Sequence, residues 1–523
     1  MNNGRINAVA TLAAAMLALT CGGRGGEPRF KHVVLISIDT ARADRLGCYG
    51  NSRGATPAID ALAGEGVRFK SAMVAAPTTL PSHTALMTGT FPHTHGVPRN
   101  QYAVDDGNVM LAEVLREHGF RTGGFIGAMP LSTPFHFRQG FDVWDEKFDM
   151  LVGKDGVDQH QRRANEVTDS ALAWLDEAKP ARAFLFVHYF DVHSPYAPPP
   201  PFDARFTRPS GPKTSTMTDI AQQATVHNRV LAPHAPDAAK TVTDGLTREL
   251  IEKCDGKPLQ GDDDLVALYD GELAFVDSQI ARLVDGLRSR GMLDDSIVVI
   301  TADHGETFYE HADFFNHGLW VYDTTVHVPL IVRAPGVAPS VVDTPVSSID
   351  VAPTLCEMLG IAVPSRVEGV SLAPLLEGKA LERGPIFCEA TQPPRADIES
   401  AGPWLNSQKP RCVRIGCLKY VRAPYLQLEQ LFDLCKDPYE RDDLLTVDPA
   451  RAEAELPALR AALDRYDESV HPLPIVTAAQ RAKDDKDRAQ IKSGLEGLGY
   501  TEGRDKQQPP AKQPGAQEPD KQP

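Results

Sequence analysis

Val33-Val34-Leu35-Ile36-Ser37-Ile38 is an unbroken apolar run that stops at Asp39. A run apolar on both faces is the mark of a central strand in a sheet covered by helices on each side. Two further stretches share the design. Phe184-Leu185-Phe186-Val187 leads through His188 to Asp191 and His193, and Ile297-Val298-Val299-Ile300-Thr301 stops just before Asp303-His304-Gly305-Glu306. In open α/β sheets the functional site lies beyond the carboxyl ends of the strands, which is where these acids and imidazoles emerge. Between the runs, Glu166 to Ala178 gathers Val167, Ala171, Trp174, Leu175 and Ala178 on one helical face. Leu265 to Leu287 does the same with Leu268, Val276, Ile280, Leu283 and Leu287, as amphipathic helices that cover a sheet do. The expectation is an α/β fold with a mostly parallel central sheet.

Thr79-Leu80-Pro81-Ser82-His83, running on to Thr88-Gly89, has the layout of a nucleophile on a sharp turn into a helix. Pro81 suits the first helical position and Gly89 the residue past the end. A hydroxyl at Thr79 then sits near the positive end of a short helix, where an anionic ester is welcome. Taken alone, Thr-x-Pro-Ser is also an ordinary capped helix start. Its weight comes from the three acid-ended strands around it.

From about Lys31 to about Leu445 the chain resembles the sulfatase family of the alkaline phosphatase superfamily. Ile38-Asp39-Thr40-Ala41-Arg42 through Gly47-Cys48-Tyr49-Gly50 looks like the first metal motif of that family, and Thr301-Ala302-Asp303-His304-Gly305-Glu306 like the second. Thr79 to Gly89 matches the signature Cys/Ser-x-Pro-Ser-Arg followed by Thr-Gly. Leu431-Phe432-Asp433-Leu434, Asp437-Pro438 and Asp443-Leu444 resemble the small C-terminal subdomain of such enzymes. The resemblance implies an alkaline-phosphatase-like α/β domain with helices flanking its sheet and a smaller C-terminal α+β subdomain.

The departures narrow the chemistry. Sulfatases oxidise the first Cys or Ser of the signature to formylglycine; Thr79 stands there, and a threonine gives no aldehyde by that oxidation. His83 replaces the signature Arg, Thr40 the usual second Asp, and His304 the usual Asn. The family's two sulfate-gripping lysines fall near Ala128 and Leu319. These changes resemble the branch of the superfamily with an unmodified Thr nucleophile. The resemblance implies Asp39, Asp303, His304 and the Thr79 oxygen as metal ligands. A mixed N and O set favours Zn²⁺ or Mn²⁺, with Ca²⁺ an alternative.

By the same resemblance, His193 contacts the ester oxygens and protonates the leaving group. With Thr79 and His83 it completes the candidate catalytic set. His317, in Asn316-His317-Gly318, is a candidate second substrate contact or part of a second metal site. Asp191 orients His193, binds substrate or joins that second metal, and Asn100, next to Arg99, donates to a charged oxygen. His93, His95, His188 and His311 are expected to be structural.

Length and charge set the frame. The 523 residues allow one large domain with an appendage, and 42% apolar content is that of a globular protein. A net charge of −16 without a basic tract argues against nonspecific nucleic-acid binding. Arg5 precedes an apolar run from Ala8 to Leu19, the length of a signal-peptide core and too short to span a membrane. Leu17-Ala18-Leu19-Thr20-Cys21 resembles a lipoprotein cleavage site, so the chain is expected to be exported to the periplasm or cell surface and lipid-anchored at Cys21. The segments are then a leader at 1–21, a tether at 22–30, the catalytic domain at 31–380, the subdomain at 381–500 and a disordered tail at 501–523. Pro198 to about Gly261 is a polar, Pro-rich insertion. Arg411 to Tyr420 and Leu426 to Leu434 read as strands of the C-terminal sheet. Seven cysteines follow Cys21, an odd number that cannot all pair; Cys412, Cys417 and Cys435 are close enough to include one bridge.

Three readings stand. The first is a metal-dependent hydrolase of sulfate, phosphate or phosphonate esters, small-molecule or carried on a glycan or lipid, with Thr79 forming a covalent ester intermediate. The second is a transferase passing a phospho-alcohol from a lipid to an acceptor, of the phosphoethanolamine-transferase type. The third is a catalytically inactive, sulfatase-like binding protein. Asp39, Asp303 and His304 all being present weighs against the last.

Overall fold

The computed structural model describes residues 29–152, 158–207, 211, 213–215, 264–308, 310–312, 315–391, 409–424, 427–469, 473–482, 487–489 and 491–493. The leader with Cys21, most of the tether, most of the 198–261 insertion and the 501–523 tail lie outside them. Among the described residues no helix is long and apolar enough to cross a membrane.

The three acid-ended runs are adjacent strands. His32–Ile38 lies at the centre, parallel to Ala183–Tyr189 on one side and to Ser296–Ala302 on the other. Outward from the first neighbour come Arg121–Ile126 and Val143–Asp145, both parallel. Outward from the second comes His327–Arg333, antiparallel, then Val67–Met73, which carries the short strands Ser340–Val342 and Val346–Ser347 on its far edge. The sheet is therefore mostly parallel, with one reversed strand.

Alternation along a strand sends neighbouring residues to opposite faces, and Ala183–Tyr189 shows both layers. Tyr189 hydrogen-bonds Thr168 of the helix Ala164–Ala178 at 2.8 Å, whereas Phe186 and His188 meet His83 of the helix Thr79–Thr88. Ala164–Ala178 starts two residues before the Glu166 expected from its pattern and packs against Asp264–Ser289. Thr79–Thr88 starts at Thr79 itself, with Thr78 as its N-cap and Pro81 in third place, not first; Gly89 ends it at φ 67°. The nucleophile candidate is thus the first helical residue.

A second, antiparallel sheet orders Ile386–Glu389, Arg411–Ile415, Leu418–Ala423 and Leu428–Asp433. The stretch expected to be one strand from Arg411 to Tyr420 is a hairpin. Gly416 turns it at φ 59°, a conformation glycine enters freely. Val413, Tyr420 and Leu431 line one face of this sheet and share a core with Leu456, Leu459 and Leu463 of the helix Pro449–Glu468. Ala85, from the helix that begins at Thr79, belongs to the same core. A disulfide joins Cys417 to Cys435; Cys412 is free and buried opposite Cys388.

Candidate metal centre and nucleophile

Asp39 follows the central strand, Asp303 and His304 follow its neighbour, and equal register across the pair brings them together. One ligand atom from each lies within 4.8 Å of the others, and all three side chains are buried. His304 Nδ1 donates to the Gly305 carbonyl at 2.8 Å, which fixes the proton on Nδ1 and turns the Nε2 lone pair inward. That nitrogen faces Asp303 Oδ2 at 3.4 Å and Asp39 Oδ1 at 3.8 Å. Among the described residues none of these three atoms has a hydrogen-bond partner. Three buried acceptors aimed at one another with no donor between them is unfavourable unless a cation or proton sits there. Burial raises the Asp39 and Asp303 carboxyls above their ordinary range. Burial would lower His304, but Asp303 and Asp39 outweigh it and raise it. The donor set fits a divalent ion.

Thr79 Oγ1 reaches the edge of this cluster, 3.5 Å from Asp39 Oδ2, and is fully buried. Two neighbours tie its helix to the cluster. Ser82 Oγ donates to the Asp303 carbonyl at 2.6 Å, and the Leu80 amide donates to Asn100 Oδ1 at 2.8 Å. Asn100 Nδ2 is buried without a partner among the described residues, so its donor is unspent beside the helix start. Arg99 instead lies over the ring of Tyr102.

His83 packs beneath this arrangement. Its Nδ1 donates to the Thr79 carbonyl and its Nε2 meets Ser37 Oγ, both at 2.8 Å, and Nδ1 is 3.5 Å from Asp303 Oδ2. Burial pushes it down to about 3, so it is a neutral support for the backbone of Thr79. His193 stacks on Phe190, with ring centroids 4.5 Å apart, and donates from Nδ1 to Ser194 O at 2.7 Å. Burial holds it neutral, at about 4, partly countered by Asp39. His317 lies 4.3 Å from His304 and 5.2 Å from His193, ring to ring, and its Nδ1 is 3.1 Å from Glu306 Oε1. The structure thus brings Asp39, Thr79, Asn100, His193, Asp303, His304 and His317 around one place.

Asp191 turns elsewhere. Its Oδ1 is 3.5 Å from Arg163, whose Nη1 also reaches Glu272 at 3.2 Å. Burial raises Asp191 to about 6, with Arg163 opposing. Thr40, in the place of a usual acid, holds φ 54° and donates to the carbonyls of Asp39 and Val192, so it braces the His193 loop. The supposedly structural histidines divide. His93 packs on Tyr466, His95 Nδ1 accepts from Val97 N, and His311 stacks on Tyr322. His188, by contrast, lies 3.1 Å from Asp39 Oδ2. Glu306 is the other residue sequence reasoning passed over: it is fully buried, pushed up to about 8 by burial, with Oε2 unpartnered. The signals for both were a lone polar residue in an apolar strand and an acid three places after Asp303.

The family model for Sulfatase matches residues 31–361. Arylsulfatase K of Rattus norvegicus is 25% identical over 477 residues, covering 86% of this chain and 79% of that protein. The N-acetylglucosamine-6-O-sulfatase of Bacteroides thetaiotaomicron is 25% identical, over 70% of this chain and 75% of its own. Among solved structures, the phosphonate monoester hydrolase of Agrobacterium radiobacter superposes with TM-score 0.62 at 25% identity, over 83% of this chain and 96% of that one. With the fold, the paired metal motifs and the signature helix in place, the chain belongs to the sulfatase family, enzymes of the alkaline phosphatase superfamily that hydrolyse sulfuric and phosphoric esters.

Proposed function

We propose that this protein is a metal-dependent hydrolase of phosphorus or sulfur esters that uses Thr79, unmodified, as its nucleophile. The observation that carries the reading is the Thr79 hydroxyl 3.5 Å from Asp39, at the rim of three buried acceptors that face one another. Asp39 Oδ1, Asp303 Oδ2, His304 Nε2 and Thr79 Oγ1 would hold the ion, and this N and O set suits Zn²⁺ or Mn²⁺ better than Ca²⁺. Bound there, such an ion would lower the pKa of the hydroxyl and neutralise charge on the ester oxygens.

The chain's own groups supply the rest. Asp39 Oδ2 accepts the Thr79 hydroxyl, and His83 holds the backbone carbonyl of the same residue. Oγ1 attacks phosphorus or sulfur as its proton passes to Asp39 Oδ2, the bond to the alcohol oxygen breaks, and that oxygen takes its proton from water. Asn100 Nδ2 donates to the group being transferred and the His317 imidazole lines the site; His193, neutral with its proton on Nδ1, presents Nε2 as an acceptor, so it serves the incoming water and does not protonate the leaving alcohol. Water then cleaves the threonine ester. Threonine has a single oxygen on Cβ, so the ester cannot be expelled by regenerating a carbonyl, and release requires attack at the central atom. Phosphorus esters, including the phosphonate monoesters named for one relative, therefore come first, with sulfate esters second.

The apolar run ending at Cys21 supports action outside the cytoplasm on a lipid anchor, and the Cys417–Cys435 disulfide suits that compartment. The test is a matched panel of aryl sulfate, phosphate monoester, phosphodiester and phosphonate monoester, with protein loaded separately with Zn²⁺, Mn²⁺ and Ca²⁺. Turnover of one ester class that vanishes in Thr79→Ala is expected. Silence on every ester, with metal bound, would overturn the hydrolase reading.

A further inference from the structure

We propose that His188 is a positioning residue for Asp39: through Nε2–H it sets the angle of the carboxylate that faces both Thr79 and His304. The inference rests on the metal centre described under the proposed function.

Parallel register places Ser37, His188 and Thr301 in one lateral row across three neighbouring strands. Of the three, His188 is the side chain long enough to reach past the strand end. Its Nε2 comes within 3.1 Å of Asp39 Oδ2. Among the described residues the other hydrogen bond to that carboxylate is the longer one from Thr79, at 3.5 Å, while Oδ1 has no partner. An aspartate has two free side-chain torsions, so without His188 the Asp39 carboxylate would be held only by a 3.5 Å contact. A carboxylate oxygen accepts, so Nε2 carries the proton and Nδ1 the lone pair. Among the described residues Nδ1 is buried without a partner, and a histidine kept solely to fill a core would be expected to satisfy both nitrogens.

The ring is itself held. His83 meets it edge-on, with centroids 5.0 Å apart and planes at 83°, and both His83 nitrogens are engaged by Thr79 O and Ser37 Oγ. The order of support therefore runs from Ser37 and Thr79 to His83, to His188, to Asp39. Partners of this kind fix the direction of a ligand's lone pairs toward the ion.

The test is calorimetric titration of Mn²⁺ into chelator-treated full chain, comparing wild type, His188→Gln and His188→Met. Gln places an N–H at the reach of Nε2, and Met has similar volume without a donor. The expected result is weakening by about 10–100-fold in His188→Met and retention within about 3-fold in His188→Gln. At saturating Mn²⁺ the Met variant should lose kcat with KM little changed. Thermal unfolding of the metal-free forms establishes that each variant is folded. If His188→Met does not fold, nitrogen NMR of labelled histidine in the wild type reads the tautomer directly, and an Nδ1–H form of His188 would overturn the proposal. Equal Mn²⁺ affinity in folded Met and wild-type proteins would also overturn it, leaving the hydrolase reading standing. A wild type that binds no divalent ion would sink both together.

Discussion

Thr79 Oγ1 and Asp39 Oδ2 lie 3.5 Å apart, one at the first residue of a helix and the other just past the end of the central strand. Neither depends on a long loop for its position. Groups carried on regular elements are held to closer tolerance than groups on loops, which is what a weak alcohol nucleophile requires.

Replacing the hydroxyl should separate chemistry from folding. Thr79→Ala is expected to lower kcat by roughly 10³-fold or more, with its melting temperature near that of wild type. Thr79→Ser keeps the oxygen and should retain far more activity than the Ala variant. Steady-state kinetics with the ester turned over best by wild type checks both.

Asp303→Asn removes one of the two negative charges facing His304 Nε2. Bound metal, measured by elemental analysis after dialysis, should fall well below one ion per chain. Turnover should drop on the order of 10³-fold, the several kcal/mol a catalytic ion supplies. Treating wild type with a chelator should reproduce the loss, and returning the ion should reverse it.

Asn100 gives a graded case. Its Oδ1 accepts the Leu80 amide and its Nδ2 is unspent. Asn100→Ala should cost about 10²-fold in kcat, as loss of one oxyanion donor does. Asn100→Asp keeps the acceptor but turns a negative oxygen toward the anionic ester, and should be worse than Ala. A ranking of kcat values in the reverse order would remove Asn100 from the site.

The junction with the C-terminal sheet rests on a buried ionic cluster. Lys419, without exposure, reaches Asp323 Oδ1 at 2.6 Å and Glu440 Oε1 at 2.7 Å. Lys419→Met strands two carboxyls and should destabilise by about 3–5 kcal/mol. Adding Asp323→Asn and Glu440→Gln should recover part of that loss in denaturant unfolding.

A pH effect is expected at Asp277. Asp277, 3% exposed, accepts the amides of Ala58 and Ile59 at the start of the helix Pro57–Glu65. Burial raises its carboxyl from 3.8 to about 6, the two amides opposing. A raised acid binds its proton more tightly in the folded state, so its contribution is fully present below pH 4 and lost as pH rises to about 6. Relative to Asp277→Asn, wild type should lose roughly 3 kcal/mol across that window, measured by unfolding at pH 4 and pH 7.

Where the sequence was legible, a local pattern and a tertiary need coincided. The apolar runs at Val33, Phe184 and Ile297 are strands because both their faces are covered, and their ends carry the site. Gly89 closes the helix Thr79–Thr88, as its position suggests. The hairpin at Gly416 is hidden because a two-residue turn, Gly416-Cys417, joins two strands of like composition into apparent continuity. Asp191 reads as a site residue by its nearness to His193, yet its charge is drawn to Arg163, which arrives from a distant helix start. His188 reads as structural because its contact with Asp39, 149 residues away in sequence, depends on register with Ser37, which no local pattern carries.

A nucleophilic Thr79 carries the transferred group as a covalent ester during turnover. The direct measurement is acid quench of wild-type protein during turnover of its best ester, followed by peptide mass spectrometry. We predict one phosphoryl, phosphonyl or sulfuryl group on Thr79, present in the steady state and absent from Thr79→Ala. Turnover with the adduct on another residue, or undiminished turnover in Thr79→Ala, would contradict it.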